Sequence, residues 1–166
     1  MTEITKTQLD ELLTAVGELL ESQNVPVQIL IVGGASLCLA GWIPPRPTED
    51  VDVLARVDET FGKSVLESPD TLPEAFGAAV RRVARDFGMP EDWINTEVAM
   101  QWHSSLPPSA TEGIQWRRYG ALHVGLAGRQ TMISLKLFAA VDQGKDSVHY
   151  QDLLTLAPSN AELEAA

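Results

Sequence analysis

Two periods run through the hydrophobic and polar positions of this chain, and the switches between them mark its elements. From residue 7 to 22, Leu9, Leu12, Leu13, Val16, Leu19 and Leu20 recur at helical spacing, with Asp10, Glu11, Glu18 and Glu21 opposite. That predicts an amphipathic helix packed on a sheet, with Thr7 as N-cap. Val25-Pro26 ends it, and Gln28 to Val32 is a continuous Ile/Val-rich run, the pattern of a buried strand. Gly33-Gly34 closes that strand, a short helix follows over Ala35 to Ala40, and Gly41 stops it. Pro44, Pro45 and Pro47 hold a stiff loop, after which Val51 to Val57 reads as a second strand bordering the first.

The second half is less regular. Residues 58 to 71 show no clear period. Asp70 or Thr71 is a candidate cap for a helix that carries Pro73 and Glu74 in its first turn and runs to Phe87, with Phe76, Val80, Val83 and Ala84 inward. Glu97 falls in a candidate strand, and Gln101 to Gly113 reads as a loop around Pro107-Pro108. Gln115 to Val124 alternates as one strand. Helices are expected from Thr131 to Asp142 and from Ser147 to Leu156. Strands mixed with helices without strict alternation predict one α+β domain over residues 1–158, a mixed sheet flanked by helices with a helical C-terminal part. Residues 159–166 read as a polar, loosely ordered tail.

Chemistry concentrates between Gln28 and Asp58. A Gly-Gly turn opening a helix either makes a tight turn or presents bare N–H groups to phosphate. Ser36 is an N-terminal cap or a phosphate ligand. Asp50 and Asp52, two apart on a strand, point to one face, either as metal ligands or as a solvated strand edge, and beside the Gly-Gly turn metal ligation is the expectation. Arg46, in the proline loop, either grips a phosphate or solvates the loop. Lys136, inside an apolar helix, either snorkels to solvent or reaches into a cleft. A fold that set Asp50 and Asp52 far from Gly33-Gly34 would make the combination a coincidence.

Charge narrows the partners. Of 166 residues, 23 are acidic and 12 basic, a formal net charge of −11. That opposes binding to a DNA duplex and favours a metal–nucleotide ligand or a basic protein partner. No apolar run approaches the roughly 20 residues that span a bilayer, so no membrane association is expected. The polar opening of the chain lacks a signal-peptide core, and a cytoplasmic location is expected. Cys38 is the only cysteine, which excludes an intrachain disulfide and a cysteine zinc site.

Gly33-Gly34-Ala35-Ser36 followed by Asp50-Val51-Asp52 resembles the nucleotidyltransferase superfamily of the DNA polymerase β type. Arg46-Pro47-Thr48-Glu49-Asp50-Val51-Asp52 resembles the Arg-x-Thr-x-Asp-hydrophobic-Asp stretch of its small bacterial toxin–antitoxin-associated members, many of unassigned function. Trp93-Ile94-Asn95, Leu135-Lys136-Leu137 and Gln151-Asp152-Leu153 resemble further short segments of those relatives. The resemblance implies a nucleotidyltransferase-like sheet and Mg²⁺ held by Asp50 and Asp52. It implies an NTP bound through Gly33, Gly34, Ser36, Arg46 and Thr48, and transfer of a nucleotide to a protein or RNA acceptor. A third carboxylate is expected from Glu97, or else Lys136 and Asp152 contribute instead, with His149 on the same helix face as Asp152 and Asp146 as its neighbour. A cognate toxin or antitoxin protein is the implied partner. The alternative is a catalytically inactive module of the same fold that binds a nucleotide or a protein.

Overall fold

The structure, a computed structural model, describes residues 2–102 and 105–166. Its centre is strand β1 (Val27–Val32), whose six residues are nearly all buried. Antiparallel to it lies β2 (Val51–Thr60), and parallel to it lies β6 (Leu122–Leu126). The outer strands β3 (Lys63–Glu67) and β5 (Gln115–Tyr119) are hairpin partners of β2 and β6, giving the order β3-β2-β1-β6-β5. A two-residue strand β4 (Ile94–Asn95) pairs in parallel with the start of β2, setting Asn95 opposite Asp52. The molecule is a mixed α+β domain with a six-stranded mixed sheet.

Apolar surface on both faces of the sheet needs cover, and the helices supply it. One face carries Ile29, Ile31, Val51, Val53, Leu122 and Val124, packed under α1 (Lys6–Ser22) and α3 (Glu74–Phe87). The other carries Leu30, Val32, Leu54, Ala55 and Val57, packed under α5 (Arg129–Gln143) and α6 (Val148–Leu156). Two residues that sit next to each other, Leu54 and Ala55, share this second face because the β1–β2 register slips between Leu30 and Ile31. That bulge re-phases β2, so Val51 and Val53 point one way while Ala55 and Val57 point the other.

Several elements differ from the sequence expectation. The first helix starts at Lys6, one turn-edge earlier, because Thr5 rather than Thr7 forms a reciprocal capping box with Gln8. β2 continues to Thr60 and turns through Phe61-Gly62 into β3, whose alternation of exposed and half-exposed positions has no apolar face to announce it. Asp70 and Thr71 lie in a 3-10 turn capped by Ser68, and the following helix begins after Pro73. Glu97 opens a short helix, α4 (Glu97–Gln101), instead of lying in a strand. The expected loop from Gln101 to Gly113 includes residues 103 and 104, which lie outside the described residues. The single strand over Gln115 to Val124 is a hairpin, folded at Gly120, whose φ of 56° suits glycine. The expected loose tail carries α7 (Asn160–Glu164), which Ser159 caps through Glu162. Arg129 and the Ser159 backbone N–H hold the Glu162 carboxyl down to about 2. Among the described residues, no helix is long and apolar enough to cross a membrane.

Helix α2 (Gly33–Ala40) leaves the C-terminal end of β1 directly and stops at Gly41, which takes a left-handed φ of 75°. The first helix crosses the β5–β6 turn at Gly17, where an added Cβ would lie 1.7 Å from the Tyr119 carbonyl oxygen. The gain of roughly 1 kcal/mol in helix propensity from Gly to Ala is smaller than the cost of forcing these backbones apart. Gly17→Ala is therefore expected to destabilise the protein by about 1–3 kcal/mol, read as a lower midpoint in urea unfolding. An unchanged or higher midpoint would contradict this packing.

Candidate functional site

The C-terminal end of β1 and the start of β2 are antiparallel neighbours, with Val32 opposite Asp52. This brings the glycine turn and the aspartate strand together without any long-range device. Gly33 has φ 76°, so glycine is required by conformation, and a Cβ there, 2.4 Å from Asp52 Oδ2, would push the carboxylate aside. A Cβ on Gly34 would lie 3.1 Å from Arg46 Nη2 and 3.3 Å from Thr48 Oγ1. The turn is thus enclosed by Asp52, Arg46 and Thr48. No side chain caps α2, leaving its first-turn N–H groups for another acceptor.

A cleft of about 190 Å³ opens beside this turn, lined by Gly33, Asp52, Glu97, Lys136 and His149 on its polar side and by Trp102, Met132 and Leu135 on its apolar side. Asp52 and Lys136 enter it from opposite walls, β2 and α5. Lys136 is 4% exposed and therefore reaches inward rather than to solvent. Its Nζ donates to Asp152 Oδ2 at 2.8 Å and lies 3.3 Å from His149 Nδ1. Arg46 Nη2 donates to the same Asp152 oxygen, also at 2.8 Å. Asp152, 4% exposed, thus ties α6 to α5 and to the proline loop. Because His149 Nδ1 accepts from an ammonium, its ring is neutral and carries its proton on Nε2. Burial lowers the His149 pKa, Lys136 and Arg46 lower it further, and Asp152 opposes them.

Asp50 is held by a residue whose role the sequence did not announce. Asn95 Nδ2 donates to Asp50 Oδ2 at 2.9 Å, while its Oδ1 accepts from the Glu97 backbone N–H; across the β2–β4 pairing Asn95 lies opposite Asp52. Its sequence marks are its place in the Trp93-Ile94-Asn95 segment and the polar residue that ends an apolar pair, neither of which points to Asp50. Burial raises the Asp50 pKa, with the Asn95 hydrogen bond opposing and Glu49, Glu97 and Asp92 adding. Asp52 is pushed up to about 6, first by burial and then by the charge of Asp50, with Lys136 pulling the other way.

Other expected site residues are placed as follows. Thr48 is buried and donates to the Asp50 carbonyl, and its backbone bridges Ile4. Ser36 is 1% exposed with its Oγ unpartnered, and it lies inside α2 rather than on the cleft wall. Arg46 keeps an unpartnered, buried Nε. Glu97 reaches the cleft from the first turn of α4, and Asp146 is exposed ahead of α6. Among the described residues, no three His, Cys, Asp or Glu side chains are grouped to hold a metal between them. Two carboxylates remain, a set of hard oxygen donors that suits Mg²⁺, an ion which keeps its waters and takes further ligands from phosphate.

Two substitutions test these electrostatics in metal-free protein. An Asp52 carboxyl held at about 6 in the fold, against 3.8 in the unfolded chain, leaves stability unaffected below pH 4. As pH rises towards 6 the unfolded chain ionises first and stability falls, and above 6 the whole cost is present. Asp52→Asn is therefore expected to be more stable than the parent at pH 7 by on the order of 1–3 kcal/mol and equal to it near pH 4. Urea unfolding at both pH values checks this, and a difference that does not change with pH would refute it. Asp152→Asn leaves Arg46 and Lys136 without their buried counter-charge and is expected to cost about 3–5 kcal/mol, measured the same way. A cost under 1 kcal/mol would mean that the ion network is not what joins α5 and α6. No protein-family model, curated protein or solved structure matches the chain, so the reading of the site begins from its own residues and distances.

Proposed function

We propose that the chain is a Mg²⁺-dependent, nucleotidyltransferase-like protein that moves a nucleotide from an NTP to a hydroxyl of a protein or RNA acceptor. The observation that carries this reading is the approach of the Asp52 carboxylate to the Gly33-Gly34 turn, across a cleft from the buried Lys136. The Asp52 carboxylate for a cation, the uncapped start of α2 for phosphate oxygens and the buried Lys136 meet in one cleft, with Asp50 just ahead of β2 and outside the cleft lining. Mg²⁺ held by Asp50 and Asp52 would neutralise charge on the triphosphate and its pyrophosphate leaving group.

The chain's own residues have distinct tasks in this scheme. Gly33 and Gly34 leave the backbone of the turn bare for phosphates to approach. Lys136, aligned by Asp152 and His149, presents positive charge where negative charge accumulates during transfer. Arg46 and Thr48 wall the turn, and Asn95 holds the Asp50 carboxylate in place. The apolar wall of Trp102, Met132 and Leu135 provides a surface for a nucleobase.

A second reading, a catalytically inactive module of this kind that binds a nucleotide or a toxin or antitoxin partner, is favoured by the incomplete acidic set. Glu97 influences both aspartates electrostatically but does not form a three-carboxylate group with them. Titration calorimetry with NTPs and Mg²⁺, together with labelled-nucleotide transfer to protein and RNA fractions, separates the readings. Transfer is expected to require Mg²⁺ and to fall at least about 100-fold in Asp50→Asn and Asp52→Asn, the scale of losing a preorganised electrostatic contact. Transfer that survives Asp50→Asn would refute the enzyme, and Mg²⁺-dependent NTP binding without transfer would favour the binding module.

A further inference from the structure

We propose that the acceptor in this reaction is a protein segment, basic and apolar with an exposed hydroxyl, seated in the groove beside the cleft; this rests on the nucleotidyltransferase reading of Asp50 and Asp52. The groove, of about 670 Å³, lies between β3, the Pro69–Thr71 turn and α4. Helix α4 is the partition between the two spaces. Glu97, Val98 and Gln101 line the cleft, Thr96 and Ala99 line the groove, and Trp102 lines both. Leu54, on the groove floor, follows Asp52 by two positions on the same strand face. A chain lying in the groove meets the cleft that holds Asp52 at Trp102, the residue the two spaces share.

Two features of the groove choose the class of acceptor. Its floor and sides, Leu54, Leu66, Pro69, Ala99 and Trp102, are apolar and suit side chains. Its charged lining residues are Glu67 and Asp70, and among the described residues no Lys or Arg lines it. A polynucleotide strand needs cations for its phosphates, and here it would meet carboxylates on a chain of net charge −11. A peptide with Lys or Arg meets complementary charge instead.

The transfer balances with a serine, threonine or tyrosine hydroxyl. Its oxygen bonds to the α-phosphorus of the NTP as the bond to pyrophosphate breaks. Pyrophosphate leaves with the bonding pair, and the hydroxyl proton passes to water at the Asp52 carboxylate.

The full chain, Mg²⁺ and an NTP labelled at its α-phosphate are offered two acceptor pools. One is a degenerate peptide pool with a fixed hydroxyl residue among lysines and leucines, and the other is single-stranded RNA with free terminal hydroxyls. Label is expected on the peptides. The charge-reversed double variant Glu67→Lys/Asp70→Lys is expected to lower peptide labelling at least about tenfold while leaving NTP affinity and the unfolding midpoint unchanged. Label on RNA, or on neither pool while NTP binds, overturns the proposal, as does peptide labelling indifferent to the double variant. If NTP does not bind at all, the nucleotidyltransferase reading fails instead, and fluorescence anisotropy of the peptide pool then decides the groove. Binding weakened by the double variant upholds a peptide site, and no binding overturns it.

Discussion

One carboxylate oxygen of Asp152 receives both Arg46 and Lys136, and the candidate site depends on that contact. Burying an ammonium inside an apolar helix is costly unless a counter-charge meets it with good geometry. Asp152 meets it, and in doing so joins α5, α6 and the proline loop between α2 and β2. The two cations exceed the one anion by a single positive charge. That surplus faces Asp52 across the cleft, where it partly offsets what burial and Asp50 do to the Asp52 carboxyl. The network is therefore both a structural tie and the source of the field in the cleft. These two roles separate on substitution: removing Asp152 exposes a structural cost, whereas removing the Asp52 charge relieves one.

The legible part of the site is the part that is local in sequence. A buried strand, two glycines, a short helix and an aspartate strand lie within about thirty positions, and each is marked by apolar runs or by glycine. Their meeting follows from a simple antiparallel pairing of β1 with β2, which sets Val32 against Asp52. Lys136 stood out as a charged residue in an apolar helix, and only the motif resemblance raised Asp152 as its partner. Their link to Arg46, 106 positions from Asp152, has no periodic signature. Asn95 is subtler still, since its bond to Asp50 arises from a two-residue strand that no pattern rule would assign.

Where the fold departs from the pattern, the cause is physical in each instance. β3 is an outer strand without an apolar face, so periodicity has nothing to detect. The β5–β6 hairpin turns so tightly at Gly120 that its two strands read as one alternation. α7 is short and polar, and it forms through its capping box and the Arg129–Glu162 contact rather than through a buried stripe. Glu97 lies in a helix because Asn95 Oδ1 takes its backbone N–H and turns the chain immediately after β4.

The bulge in β2 connects the fold to the site. In an unbroken strand, Asp52 and Leu54 would share a face with Arg56 and Asp58, and the helices α5 and α6 would have to cover a charged surface. The register slip between Leu30 and Ile31 turns Ala55 and Val57 to that side instead, and both join the core beneath α5 and α6. Asp52 is then the one acid of β2 at the border of an otherwise apolar face. It is close enough to that core to be desolvated and close enough to the strand's start to meet the glycine turn. A carboxyl held near 6 at the mouth of a cleft is the consequence. Such a group is costly to the apo fold and is relieved by a bound cation. Leu54, two positions on from Asp52 along that face, forms the floor of the neighbouring groove, so the slip keeps an apolar surface continuous beyond the carboxylate.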